Sequence, residues 1–208
     1  EVLDFGISIA DSKGRMVAEA AGITSFIGAN DYALKTLLEK LDLNSLRPGD
    51  VVMLNYPYWN SAHASDALLM SPVFIDNKDI DMFLCVRAHW LDLGAKDAGY
   101  VIDSTDIHQE GIIIPGVRII KEGKLDEDLW KVLTFNSRLP EAIEGDFGAQ
   151  VACLRTGERC LKEIFSKFGK SKVLEAIEDF FDHSHQKTLA ALSQLPKGTW
   201  SASDWLDD

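Results

Sequence analysis

A chain of 208 residues with 46% hydrophobic and 26% charged side chains has the composition of an ordinary globular protein, with room for one good-sized domain or a domain plus a helical extension. Its formal net charge of -12 argues against nucleic acid or an anionic membrane surface as a partner, because both need a basic face. No apolar run approaches membrane-spanning length, and no secretory signal is read at the start.

The three cysteines, Cys85, Cys153 and Cys160, have no zinc-type spacing. Their apolar neighbours predict buried free thiols, and a cytoplasmic, reducing location fits. The chain lacks an initiator Met and begins inside a strand-like pattern, so it is expected to be a piece of a longer polypeptide.

Taken in order, Leu3, Phe5, Ile7 and Ile9 alternate with Asp4, Gly6 and Ser8, which predicts a half-buried strand over 2–10 with its apolar face on the core. The opposite face carries one carboxylate beside two small residues, leaving room for an approach to Asp4. On pattern alone a solvated acid is the simpler account of that residue. Asp11-Ser12-Lys13-Gly14 reads as a hairpin turn with 16–18 returning. Asn30-Asp31 is read as the cap of a helix whose apolar face carries Tyr32, Leu34, Leu37, Leu38 and Leu41. After the break at Arg47-Pro48-Gly49-Asp50, the run 51–54 predicts a short buried strand leading into a polar, aromatic loop over 55–66.

The runs 68–70 and 72–75, the turn Asp76-Asn77-Lys78-Asp79 and the run 82–88 predict a second hairpin. Its antiparallel pairing has a geometric consequence: His63 and Asp66 precede the first strand and His89 follows the second, so the three come to one sheet edge. Residues 90–110 read as a long Asp-, Gly- and Ser-rich loop, of the kind that is usually functional or mobile. A strand over 111–120, interrupted at Pro115-Gly116, and a turn at 121–124 follow.

The remainder is helical. Asp126 caps a short helix, Pro140-Glu141 opens a long one that Gly169 stops, and Ser171 starts a third. The third is expected to bury Val173, Leu174, Ile177, Phe180 and Phe181. His183 and His185 fall on it two apart and cannot share a face, which makes them solvated histidines. The fold class expected is α+β: a mixed, largely antiparallel sheet built from hairpins with a helical C-terminal half. Residues 1–125 form the β-rich site region, and 126–208 the helical region packed on it within one larger domain.

Two imidazoles and a carboxylate with an open position are the ligand set of hydrolytic zinc sites and of iron or manganese centres. His63, Asp66 and His89 are the candidates, with Asp4 as a fourth; a chance His-x-x-Asp pair and an interfacial His89 is the competing account. No Gly-rich phosphate loop and no Gly-x-Ser-x-Gly nucleophile turn is present.

The landmarks resemble the hydantoinase B / 5-oxoprolinase family, which includes the corresponding large subunits of acetone and acetophenone carboxylases. Asp4-Phe5-Gly6 and Asp11-Ser12-Lys13-Gly14-Arg15 match its opening segment and turn. Asn55-Tyr56-Pro57-Tyr58, Ala62-His63-Ala64-Ser65-Asp66 and Arg87-Ala88-His89 match its central motifs. The segment from Ser104 to Gly111 ending in Gln109-Glu110-Gly111, then Asn136-Ser137-Arg138-Leu139-Pro140-Glu141, Gly145-Asp146 and Gln150, complete the series over nearly the whole chain. Tyr56 departs from the usual Asp, Trp59-Asn60-Ser61 from a Gly-rich stretch, and Trp90 from a second His of hydrolase members. Bulky Tyr58, Trp59 and Trp90 suit an apolar substrate or, equally, core packing.

The resemblance implies a catalytic subunit that works with a hydantoinase A-type ATP-binding partner in a hetero-oligomer. The partner would phosphorylate a substrate oxygen using ATP. This subunit would then complete hydrolysis of a cyclic amide at a divalent transition metal (zinc, iron or manganese) held by His63, Asp66, His89 and Asp4. ATP would be used only through the partner. A carboxylase subunit acting on an activated ketone is the second reading, and a non-catalytic structural or regulatory paralogue the third. The resemblance assigns no catalytic side chain; Glu110 and Arg138 are the candidates.

Overall fold

A computed structural model describes residues 4–20, 22–23, 26, 28–99 and 101–205. The chain has an α+β fold whose centre is a seven-stranded antiparallel sheet in the order β2-β1-β5-β4-β3-β6-β7. The strands are β1 (Phe5–Asp11), β2 (Met16–Glu19), β3 (Val51–Leu54), β4 (Asp66–Val73), β5 (Met82–His89), β6 (Pro115–Lys121) and β7 (Lys124–Leu125). The helices are α1 (Ala29–Lys40), α2 (Pro57–Asn60), α3 (Glu127–Asn136), α4 (Pro140–Phe168) and α5 (Lys170–Ser193). None of the described helices is long and apolar enough to cross a membrane.

Packing divides the chain into two units, 1–163 and 164–208. In the first, β3 and β4 are buried along their whole length, as their unbroken apolar runs require for central strands covered on both faces. One sheet face meets α1: Leu34 and Leu37 pack into a core with Leu54, Leu68, Met70 and Phe83. The other lies under α4, which approaches so closely that a Cβ on Gly157 would stand 3.1 Å from Leu84.

The first strand reverses expectation. Gly6, Ser8, Ala10 and the terminal Asp11 are its buried residues, whereas Phe5, Ile7 and Ile9 are only half-buried. The space beside Gly6 is filled by Phe26, whose Cβ would lie 2.8 Å from an added Cβ. Small residues are therefore needed on that face for the close approach. The expected start of the strand at 2–3 lies outside the described residues.

Several local expectations also change. Asn30 does not cap α1; the helix starts after Gly28, which is left-handed (φ 78°), and Asn30 is buried within the first turn. Pro57 at the first helical position starts the single turn α2 where an irregular loop is expected. Strand β6 begins at Pro115 rather than 111, the proline occupying the first strand position where its missing donor costs least. Asp126 caps α3 as its sequence position suggests, accepting from the Leu129 amide at 3.1 Å. Cys85 is buried, but Cys153 is half-buried and Cys160 exposed, so burial does not hold for all three thiols.

In the second unit, α5 buries none of its residues, and the stripe with Val173, Leu174, Ile177, Phe180 and Phe181 is not a core face there. His183 and His185 are exposed on it.

Candidate functional site

The site is built at the open end of β4 and β5. Strand β3 delivers the chain to Asn55, which is fully buried. Its side-chain amide donates to the carbonyls of Ala64 (2.7 Å) and Ile112 (2.8 Å), and its carbonyl accepts from the Ile114 amide (2.6 Å). A carboxylate could not donate the first two bonds, which explains the residue type. Asn55 thus pins the loop carrying His63 to the segment entering β6.

Turn α2 ends at Ser61 in a left-handed conformation (φ 54°). Just before it, Asn60 donates to the Asp66 carbonyl at 2.7 Å. From below, the fully buried Arg87 reaches across with three hydrogen bonds. Its Nε donates to Asn30 Oδ1 (3.0 Å), and its Nη2 to the carbonyls of Ala29 (3.2 Å) and Asn60 (2.8 Å). Its guanidinium lies 5.3 Å from the centre of the Phe26 ring. Burial lowers the Arg87 pKa to about 10, opposed by the nearby Asp66 carboxylate, so the group stays cationic at neutral pH. Arg87 therefore ties α1, α2 and β5 together beneath the site.

Asp66 and His89 are directly opposed in the β4–β5 ladder. The Asp66 carboxylate is buried and divides its two oxygens: Oδ1 lies 2.8 Å from His89 Nδ1, and Oδ2 accepts the His63 amide at 3.0 Å. His63 is an exposed side chain whose ring stands edge-on to His89, centroids 6.3 Å apart. Asp4 sits half-buried before β1, its carbonyl accepting the His89 amide at 3.2 Å. The hairpin thus brings Asp66 and His89 into contact, His63 beside them and Asp4 next to His89 along the β1–β5 pairing.

Two imidazoles and two carboxylates fit zinc, iron or manganese in kind. Among the described residues, however, no three His, Cys, Asp or Glu side chains are gathered tightly enough to hold a metal ion. The Asp66 oxygens are engaged with the His89 ring and the His63 backbone. In this arrangement Asp66 orients an imidazole, the role carboxylates take behind metal-bound histidines.

His89 also lines a cavity of about 650 Å³ between the sheet and α4. Phe5, Ile7, Val86 and Ala88 form the sheet wall, and Ala142, Asp146, Ala149 and Cys153 the helix wall. Burial raises the Asp146 pKa, opposed by the charge of His89. Gln150 fixes the two walls: it donates to the carbonyls of Ala67 and Val86 (2.9 Å each) and accepts from Trp90 Nε1 at 2.7 Å. The buried Trp90 is thereby a packing residue, Trp59 packs at the edge of the core, and Tyr58 is 71% exposed.

Glu110 accepts from Ser104 Oγ at 2.8 Å. Arg138 grips the buried Asp92 with Nε (2.8 Å) and Nη2 (2.7 Å), and its own amide adds a third bond at 2.6 Å. Neither Glu110 nor Arg138 lines the cavity. In the sequence Asp146 stands only as a landmark of the family resemblance. The signal was the α4 spacing of Ala142, Asp146, Ala149 and Cys153, which puts one carboxylate on a stripe of small residues along one helical face.

Comparison with known proteins gives consistent relatives. The chain is 28% identical to the caprolactamase subunit beta of Pseudomonas jessenii, covering 99% of the chain and 35% of that protein. It is 28% identical to the 5-oxoprolinase of Saccharomyces cerevisiae, covering 100% of the chain and 17% of that protein. It therefore spans about a third of the length of the bacterial relative and about a sixth of the yeast one. The crystal structure of ATP-dependent caprolactamase from Pseudomonas jessenii superimposes with a TM-score of 0.93 at 27% identity, over 100% of this chain and 36% of that one. A nucleotide-free acetone carboxylase structure shares the fold, with a TM-score of 0.75 at 16% identity over 80% of this chain and 22% of that one. The family model for hydantoinase B/oxoprolinase matches residues 1–208, and the chain belongs to that family.

Proposed function

We propose that this chain is the site-bearing part of a cytoplasmic, metal-dependent catalytic subunit that hydrolyses a cyclic amide activated by a separate ATP-binding subunit. The observation that carries the reading is the buried Asp66–His89 pair, 2.8 Å apart at a strand end, with His63 beside it and a cavity opening on His89. The likeness to an ATP-dependent caprolactamase supports the reaction class.

Each residue has a definite task. Asp66 holds the His89 ring through Nδ1, so coordination by that ring would go through Nε2. His63 would supply the second nitrogen and Asp4 a carboxylate. Arg87, Asn55 and Asn60 hold the backbone that carries them. A bound divalent transition metal would supply a water acidic near neutral pH and polarise the amide carbonyl. The mostly apolar cavity walls would face the bound ring.

The test is ATP consumption by the full-length protein with its ATP-binding partner, offered cyclic amides in one arm and ketones with bicarbonate in the other. Cyclic-amide-dependent ATP use with ring opening is expected. ATP use only with ketone and bicarbonate would replace this reading with a carboxylase. A metal-free protein without activity in either arm would replace it with a non-catalytic assembly role.

A further inference from the structure

The cavity beside His89 has a size and a charge that bear on which ring is bound. At about 650 Å³ it has the volume of pockets that take drug-sized ligands, several times what a bare five-membered ring fills. Its walls are mostly apolar, and α4 contributes small residues, Ala142, Ala149 and Cys153, where larger ones would close it. Apart from the proposed metal ligands Asp4 and His89, the charged group that lines it is the carboxylate of Asp146, and no Lys or Arg is among the described lining residues. An anionic substituent reaching the α4 wall would be held against the Asp146 carboxylate in a partly dehydrated space, where repulsion is weakly screened.

We propose that this cavity selects a cyclic amide bearing an uncharged, bulky apolar substituent and rejects one bearing a carboxylate, with Ala149 setting the space and Asp146 the charge. This rests on the cyclic-amide reading above. The exposed Tyr58 is not the recognition element, since it stands in solvent and outside the lining. Asp146 lies one helical turn from both Ala142 and Ala149 on α4, so it faces the same bound group that they accommodate.

The experiment compares hydantoin, 5-benzylhydantoin and hydantoin-5-acetic acid on the full-length protein with its ATP-binding partner. Binding is read by calorimetry without ATP, and ATP consumption is read separately. Burial of the added phenyl group predicts binding about 10- to 100-fold tighter for the benzyl compound than for bare hydantoin. The acetic acid compound should bind no better than bare hydantoin. Ala149→Phe should bring the benzyl-to-bare affinity ratio down by about tenfold or more. Asp146→Asn and Asp146→Lys should raise the affinity for the acetic acid compound in that order, and they keep the proposal testable if Ala149→Phe fails to fold.

Equal binding of the benzyl and bare rings, preference for the carboxylate, or an unchanged ratio in a folded Ala149→Phe protein would overturn it. Selective binding with no ATP use on any ring would leave the cavity assignment standing and sink the hydrolase reading. ATP use on all three rings without selectivity would do the reverse.

Discussion

Replacing Arg87 by Met is the sharpest probe of what holds the candidate site. The methionine fills most of the stem's volume but leaves the Asn30 side-chain oxygen and the Asn60 carbonyl without their donor, while the Ala29 carbonyl keeps its partner in the first turn of α1. Stranding a buried acceptor costs about 1–3 kcal/mol. Two such acceptors sum to about 4 kcal/mol. At about 1.4 kcal/mol per factor of ten, local opening should become about a thousandfold more frequent. Hydrogen exchange measured by mass spectrometry on the full-length protein reads this directly, in peptides covering α2, the start of α1 and the β4–β5 hairpin. Arg87→Lys keeps the charge but cannot form the fork and should recover less than half of the lost protection. If Met leaves exchange in β4 and β5 at the parent rate, or Lys restores it fully, the guanidinium fork is not what braces the site.

Three further outcomes can be checked. Hydrogen bonding to Arg138, followed by backbone donors, lowers the Asp92 pKa against the effect of burial, so its stabilisation is present above about pH 4 and is lost as pH falls through the lower folded value. Arg138→Ala should lower the urea midpoint at neutral pH, because the buried Asp92 loses its guanidinium partner and keeps only backbone donors; the gap to the parent should narrow below about pH 4. Thiol labelling should follow exposure, with Cys160 first, Cys153, whose pKa burial raises, more slowly, and Cys85, pushed up to about 12 by burial, only on unfolding. Metal analysis of the full-length protein should show loss on His63→Ala and on His89→Ala, each by about tenfold or more in affinity, and a smaller loss on Asp66→Asn if Asp66 acts through His89.

Hairpins were legible in the sequence because their turn chemistry is local. Asp11-Ser12-Lys13-Gly14 and Asp76-Asn77-Lys78-Asp79 flank apolar runs of strand length, and the meeting of Asp66 with His89 follows from the pairing alone. The face of β1 was not legible. Alternation marks two faces without saying which one a helix covers, and here Phe26 fills the space that Gly6 leaves. Asn30 read as a cap because Asn competes well for helix N-termini; its partner, Arg87, lies 57 residues away. The cavity was hidden for the same reason, since its walls come from β1, β5 and α4. Only the stripe along α4 recorded it, and the carboxylate on that stripe is easily taken for a solvated charge.

The sheet order implies a sequence of assembly. The β4–β5 pairing that joins Asp66 to His89 closes over a short loop, whereas β1 must find β5 across about seventy intervening residues and β3 must find β6 across about sixty. Local closures precede distant ones because less chain entropy is lost before contacts form. The Asp66–His89 pair is therefore set within an early hairpin, and the cavity walls from β1 and α4 arrive afterwards. A nascent chain would hold the imidazole in place before the cavity beside it exists.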